Sequence, residues 1–200
     1  MWGLISSIGL LLKKERHSNR QSRTRTTRYL HVGLFDCSAA MKVGMLRRME
    51  VCIDELSSPD VLALLTDHLT DMALHSPAES IHALQPTDLQ QADVTFWTVR
   101  DQGELAGCGA LKDLGNHHGE LKSMRTAPAH RRKGVARLLL QHILTEAAGR
   151  GFTRLSLETG SADAFHPARE LYRSFGFINC DPFDRYIEDT HSVFMTLEMA

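Results

Sequence analysis

From residue 49 onward the hydrophobic pattern switches repeatedly between a two-residue and a roughly 3.6-residue period, and the switches mark the elements. Residues 49–56 alternate, with Val51 and Ile53 on one side, which predicts a short strand. Ser57 or Ser58 caps a helix with Pro59 in its first turn, and Val61, Leu62, Leu64, Leu65, Leu69 and Met72 share its apolar face. Pro77 and Pro86 break residues 75–88 into a loop with a short second helix. Residues 94–100 and 104–114 read as strands joined by a tight turn at Asp101-Gln102-Gly103. Gly107 and Gly109 either weaken the second strand or permit a close approach. After a GNHHG loop, residues 120–128 form a strand stopped by Pro128. Val135, Leu138, Leu139, Ile143 and Ala147 then fall at helical spacing, with Gly149 and Gly151 past the end. Residues 152–159 are a strand, 166–177 a helix ended by Gly176, and 191–199 the last of two closing strands. The sum, β–α–α–β–β–β–α–β–α–β–β, predicts a mixed α/β sheet with helices on both faces.

Charge divides the chain where this pattern begins. The 200 residues carry a formal −1, but residues 1–48 hold ten lysines and arginines against two acids, a formal +8, and the rest carries −9. We therefore expect 1–48 to be a basic extension that does not fold and 49–200 to be the domain. The opening MWGLISSIGLLL is too short to span a bilayer, which takes about 20 apolar residues, so no membrane partner is expected. The Arg- and Ser-rich stretch behind it suits a transit-like leader or a nucleic-acid arm. Equally, translation starts later, at Met41, Met45 or Met49. Cys37, Cys52, Cys108 and Cys180 are widely spaced and form no CxxC pair, so reduced cysteines in a cytoplasmic protein are expected, with no metal site. His117 and His118 fit a hairpin loop better than a metal site.

Between the strand at 120–128 and the next helix stands Arg131-Arg132-Lys133-Gly134-Val135-Ala136. A helix start offers unpaired N–H groups and the positive end of the dipole. Gly134 lets a ligand approach the backbone, Ala136 does not block it, and three cations add charge. That is a pyrophosphate cradle. No Gly-Lys-Ser/Thr follows, so it is not a nucleotide P-loop, and G-x-G-x-x-G is absent.

About thirty residues on comes Ala168-Arg-Glu-Leu171-Tyr172-Arg-Ser-Phe-Gly176-Phe177. In this pairing with Arg131-x-x-Gly134-x-Ala136, the chain resembles the GNAT superfamily of acetyl-CoA-dependent N-acetyltransferases over residues 50–199. Residues 158–177 and CDPFDRY resemble a poorly characterised bacterial branch of it. The resemblance implies a mostly antiparallel sheet splayed in the middle. It implies that N–H groups from Arg132 through Lys133, Gly134, Val135 and Ala136 to Arg137, with Arg131 beside them, hold the CoA pyrophosphate. The strand backbone at Met124, Arg125 and Thr126 would pair with the pantetheine arm beyond a β-bulge, and an N–H there, that of Met124, would polarise the thioester carbonyl. Tyr172 would be the general acid toward the leaving thiolate, although a core aromatic on the Leu171–Phe175 face reads the same way. Glu120 occupies the place of a catalytic glutamate; ordered water or a plain strand-start carboxylate are the alternatives. Phe165 stands where the family often has a cofactor-contacting Asn, a contact that Glu158-Thr159-Gly160 would replace.

The acceptor pocket is then framed by His75, Glu79 and His82 on one side and the 180–191 loop, with Asp184, on the other; Glu158 joins them. The loop's acidic excess suits a cationic amine, or is a solvated face. Arg154 and Arg169 could face a carboxylate instead. The function expected is direct acetyl transfer, in a ternary complex, to a primary amine of a small molecule or protein, by a monomer or homodimer. The alternatives are an acyl-CoA sensor without catalysis and a nucleic-acid binder acting through the basic tail.

Overall fold

A computed structural model of the chain describes residues 49–199 apart from 78, 79, 81 and 83. The basic segment 1–48 and the candidate Glu79 lie outside the described residues. The alternating blocks become strands β1 (Met49–Ile53), β2 (Val94–Asp101), β3 (Glu104–Asp113), β4 (His118–Thr126), β5 (Arg154–Gly160), β6 (Ile178–Asn179) and β7 (Ser192–Glu198). The helical blocks become α1 (Pro59–His75), α2 (Val135–Gly149) and α3 (His166–Ser174). The short helix expected within 75–88 is not an α-helix among the described residues. Pro77 and Pro86 each lack the N–H a helical ladder needs, and after them the chain makes a 3₁₀ turn at Asp88–Gln90. His118 also departs from the expected loop: it is buried at the start of β4, and the turn before it uses positive φ at Gly115, Asn116 and His117.

The strands form one sheet in the order β1-β2-β3-β4-β5-β7-β6, and only β4 and β5 run parallel. This is the mixed, mostly antiparallel sheet expected, with helices on both faces. On one face α1 sets Val61, Leu64 and Leu65 against Phe96, Cys108 and Ala110. On the other, α2 and α3 set Leu139, Leu140, Ile143 and Tyr172 against Trp97, Leu111, Leu121, Leu155 and Leu157. The close approach foreseen at Gly109 is real: a Cβ there would stand 3.1 Å from Leu139 of α2 and 2.4 Å from the Met124 sulfur.

The sheet opens at its centre. β4 and β5 are paired only over His118↔Arg154 to Leu121↔Leu157. Beyond that point β5 stays paired with β7 through Gly160↔Ser192. On its other side β4 stays on β3, but Cys108 faces Arg125 while Ala110 faces Lys122, so two residues, Ser123 and Met124, oppose Gly109. This bulge puts Ser123 at φ 53° and turns the end of β4 away from β5.

Candidate active site

The cradle forms where α2 begins. Arg132 (φ 62°) and Gly134 (φ 87°) take left-handed backbone, and Gly134 serves as the helix N-cap. Its carbonyl accepts from Leu138 N–H at 2.9 Å. Val135, Ala136 and Arg137 are the first helical residues, so their N–H groups have no intrahelical acceptor. Those of Arg132 and Gly134 find no backbone acceptor among the described residues either. Arg131, Arg132 and Lys133 are exposed around them. Val135 sends its side chain into the core, so it can offer a ligand only its N–H. Arg137 lies over the Phe175 ring (5.1 Å) and donates to Ser174 Oγ (3.1 Å), which fixes its cation beside the end of α3.

From the cradle a groove of about 600 Å³ runs along the free edge of β4, lined by Met124, Arg125, Thr126, Arg131, Ala136 and Tyr172 among others. The Arg125 guanidinium is bonded to Asp71 of α1, and Arg131 stands 3.9 Å from the same carboxylate. Arg125 thus offers the groove its backbone; the bond holds the Asp71 carboxyl below the usual range. Phe165 crosses the groove edge against Gly160, where a Cβ would come within 2.2 Å of its ring. His75, expected on the acceptor side, stands edge-on to Phe165 at 6.0 Å and lines this groove instead, because α1 ends there.

A second cavity, about 90 Å³, continues between the parted strands. It is lined by His82, Lys122, Glu158, Thr159 and Tyr172, with six residues shared with the groove. Burial pushes the Glu158 carboxyl up, against a hydrogen bond from Ser192 Oγ of 2.7 Å. Tyr172 is 6% exposed; burial, then the Glu158 charge, holds its phenol protonated above the ordinary value. Glu120 comes close without reaching the cavity. It is 3% exposed, and its Oε1 accepts from Lys122 Nζ (3.0 Å) and Tyr186 OH (2.5 Å). Lys122 Nζ also donates to Tyr186 OH (2.6 Å) and to the His82 carbonyl (3.0 Å). Asp184 is exposed on the 180–191 loop at φ 51° and lines neither cavity.

Arg169 is buried and turned to backbone carbonyls rather than to a carboxylate, whereas Arg154 is exposed at the start of β5. Arg169 Nη1 donates to the carbonyls of Gly160 (2.5 Å) and Ala162 (3.0 Å), and Arg154 donates to His118 Nδ1 (2.9 Å). The thiols are poor nucleophiles: burial pushes Cys108 up to about 12, and burial with Asp181 raises Cys180. Three site residues were missed. Lys122 lies two residues from Glu120, hence on its face of β4, and that period was available. His68 falls between Leu64 and Met72 at i, i+4, i+8 on the buried face of α1, another readable signal. Tyr186 closes the CDPFDRY stretch on the acceptor loop, but its contact with Lys122, 64 residues back, comes only from how that loop folds.

Residues 60–177 match the sequence pattern of the Acetyltransferase (GNAT) family. Uncharacterized N-acetyltransferase YsnE of Bacillus subtilis is 55% identical over 151 residues, 76% of this chain and all of that protein. Uncharacterized N-acetyltransferase YedL of Escherichia coli is 49% identical over 147 residues, 74% of this chain and 92% of that one. Among solved structures, a GNAT family acetyltransferase from Elizabethkingia anophelis, with acetyl-CoA bound, shares the fold at a TM-score of 0.56 and 18% identity, covering 76% of this chain and 98% of that one.

Proposed function

The chain belongs to the GNAT family of acetyl-CoA-dependent N-acetyltransferases, and from that premise we propose that it acetylates a primary amine of a small molecule or protein by direct attack in a ternary complex. One observation carries this reading: the groove from the cradle and the cavity between the strands meet at Tyr172. One is long enough for an extended donor and the other suits the head of an amine.

The residues fit acetyl-CoA. The orphan N–H groups of Arg132 and of Gly134 to Arg137 suit the pyrophosphate, and the cations at Arg131 and Lys133 add charge to them. The unpaired edge of β4 at Met124, Arg125 and Thr126 suits the pantetheine arm. The bound donor supplies the acetyl carbonyl as a thioester. Tyr172 keeps its proton at neutral pH and gives it to the departing sulfur as the carbon–sulfur bond yields to the new carbon–nitrogen bond. Glu158 rather than Glu120 faces the acceptor: its carboxylate receives the ammonium and takes one proton so that the neutral amine can attack, and the second proton, lost from nitrogen as the intermediate collapses, restores the Tyr172 phenol. Glu120, behind Lys122 and Tyr186, orders that wall. His82 shapes the mouth, its ring edge-on to Tyr186 at 4.9 Å. Cys108 and Cys180 are held as thiols and are poor carriers for the acetyl group, which favours direct transfer. We place the reaction in the cytoplasm; no helix of the described residues is long and apolar enough to cross a membrane.

The test is an amine panel, covering amino acids, polyamines and peptides, with mass detection of the acetylated product. At least one acceptor should gain an acetyl group with stoichiometric CoA release. Acetyl-CoA binding with no transfer to any amine would favour a sensor.

A further inference from the structure

The groove and the cavity share six lining residues, His68, Met72, Met124, Phe165, Ala168 and Tyr172, which form the neck between them. Any acetyl transfer between the two spaces happens at this neck. Four of the six offer apolar side chains. The two that carry chemistry come from opposite faces of the sheet: His68 from α1 and Tyr172 from α3. They meet because β4 and β5 part after Leu121.

His68 has no structural employment that explains it. Among the described residues its ring makes no hydrogen bond, although it sits on the buried face of α1. Its Nδ1 is buried without a partner while the residue lines both spaces, so we assign Nε2 as the nitrogen that serves the neck. An unpaired buried N–H is costly, so the single proton of a neutral ring belongs on Nε2. The charged neighbours are Arg125 and Asp71, which are bonded to each other. Burial first, then Arg125, holds the imidazole neutral, with its pKa lowered to about 4.

We propose that His68 Nε2–H donates a hydrogen bond to the acetyl carbonyl oxygen, facing the Met124 N–H, so that the oxygen's growing negative charge is held from both sides of the gap. A neutral imidazole suits this role, because it offers a fixed donor without a mobile charge to be solvated. The assignment rests on the acetyltransferase reading given above.

Two measurements test it. His68→Ala should lower kcat on the order of 100-fold, as loss of one such donor does, with the acetyl-CoA Kd changed less than about threefold. His68→Gln, which restores an N–H at similar reach, should recover most of that loss. Independently, ¹⁵N-histidine NMR of the wild-type protein should show His68 as the neutral Nε2–H tautomer from pH 5.5 to 8 (a range set by its lowered pKa). Its Nε2 signal should shift with acetyl-CoA but not with CoA. Wild-type kcat in His68→Ala, or an Nε2 signal blind to the acetyl group in a protein that binds and transfers it, overturns the assignment alone. A wild-type protein that binds acetyl-CoA but acetylates no amine sinks the functional reading and this inference together.

Discussion

Lys122 spends all three of its ammonium hydrogens on oxygen: Glu120, Tyr186 and the His82 carbonyl. Glu120 is as deeply buried as Lys122, so removing the cation would strand a carboxylate in a low-dielectric wall. Lys122→Met should therefore cost about 3–5 kcal/mol in urea unfolding, far more than a surface ion pair would. Tyr172→Phe should do the opposite, leaving stability near wild type while kcat falls roughly 10²–10⁴-fold, since only the donated proton is lost. Thiol release at saturating substrate reads the second effect. The two residues also differ in how visible they were. Tyr172 sits in a local pattern, next to Leu171 and a helix turn before Phe175 and Gly176. The Lys122–Tyr186 contact depends on how the last loop returns across the sheet, which no local spacing encodes.

At the scale of elements, the site is a gap in a ladder. Hydrophobic periodicity placed the strands and the three α-helices, because each element buries one face and polar residues mark the other. It could not place the bulge. The family resemblance implied a bulge before Met124, but Ser123 takes φ 53° without being Gly or Asn, so local sequence did not mark the residue that bends β4. The gap's other wall, β5, ends at Gly160, where Phe165 lies over the backbone. Gly160→Ala should push that ring aside, widen the groove and raise the acetyl-CoA KM several-fold, with a smaller change in kcat. A crystal structure or steady-state kinetics would show it; an unchanged KM would mean that Phe165 does not set the groove's width. Gly134→Val should be more severe, because a β-branched residue at φ 87° is strained and would pull the start of α2 out of the shape that presents the orphan N–H groups. Calorimetry should record a large loss of CoA affinity.

Over the whole molecule, burial of titratable groups sets the pH range of stability. His68 and His118 have pKa values below the ordinary 6.5 in the folded state, so the unfolded chain binds protons first as pH falls. Stability should decline from pH 6.5 down to about 4, at up to about 1.4 kcal/mol per pH unit from His68. Glu158, raised on folding, works the other way and offsets part of the loss. At the alkaline end Cys108, Tyr172 and Tyr186 keep protons that the unfolded chain gives up, so stability should fall as pH climbs past 9. Denaturation midpoints across this range check both limbs, and His68→Gln should flatten the acid one. A different consequence follows from the strand order. β7 lies between β5 and β6, and both of its neighbours are synthesised before it. On the ribosome, β5 and β6 must wait side by side with nothing between them until Glu198 has emerged. The nascent chain can assemble α1, the β2–β3 hairpin and α2 early, yet the wall that carries Glu158 closes last. A newborn molecule should therefore become protease-resistant between α1 and α2 well before it can bind an amine.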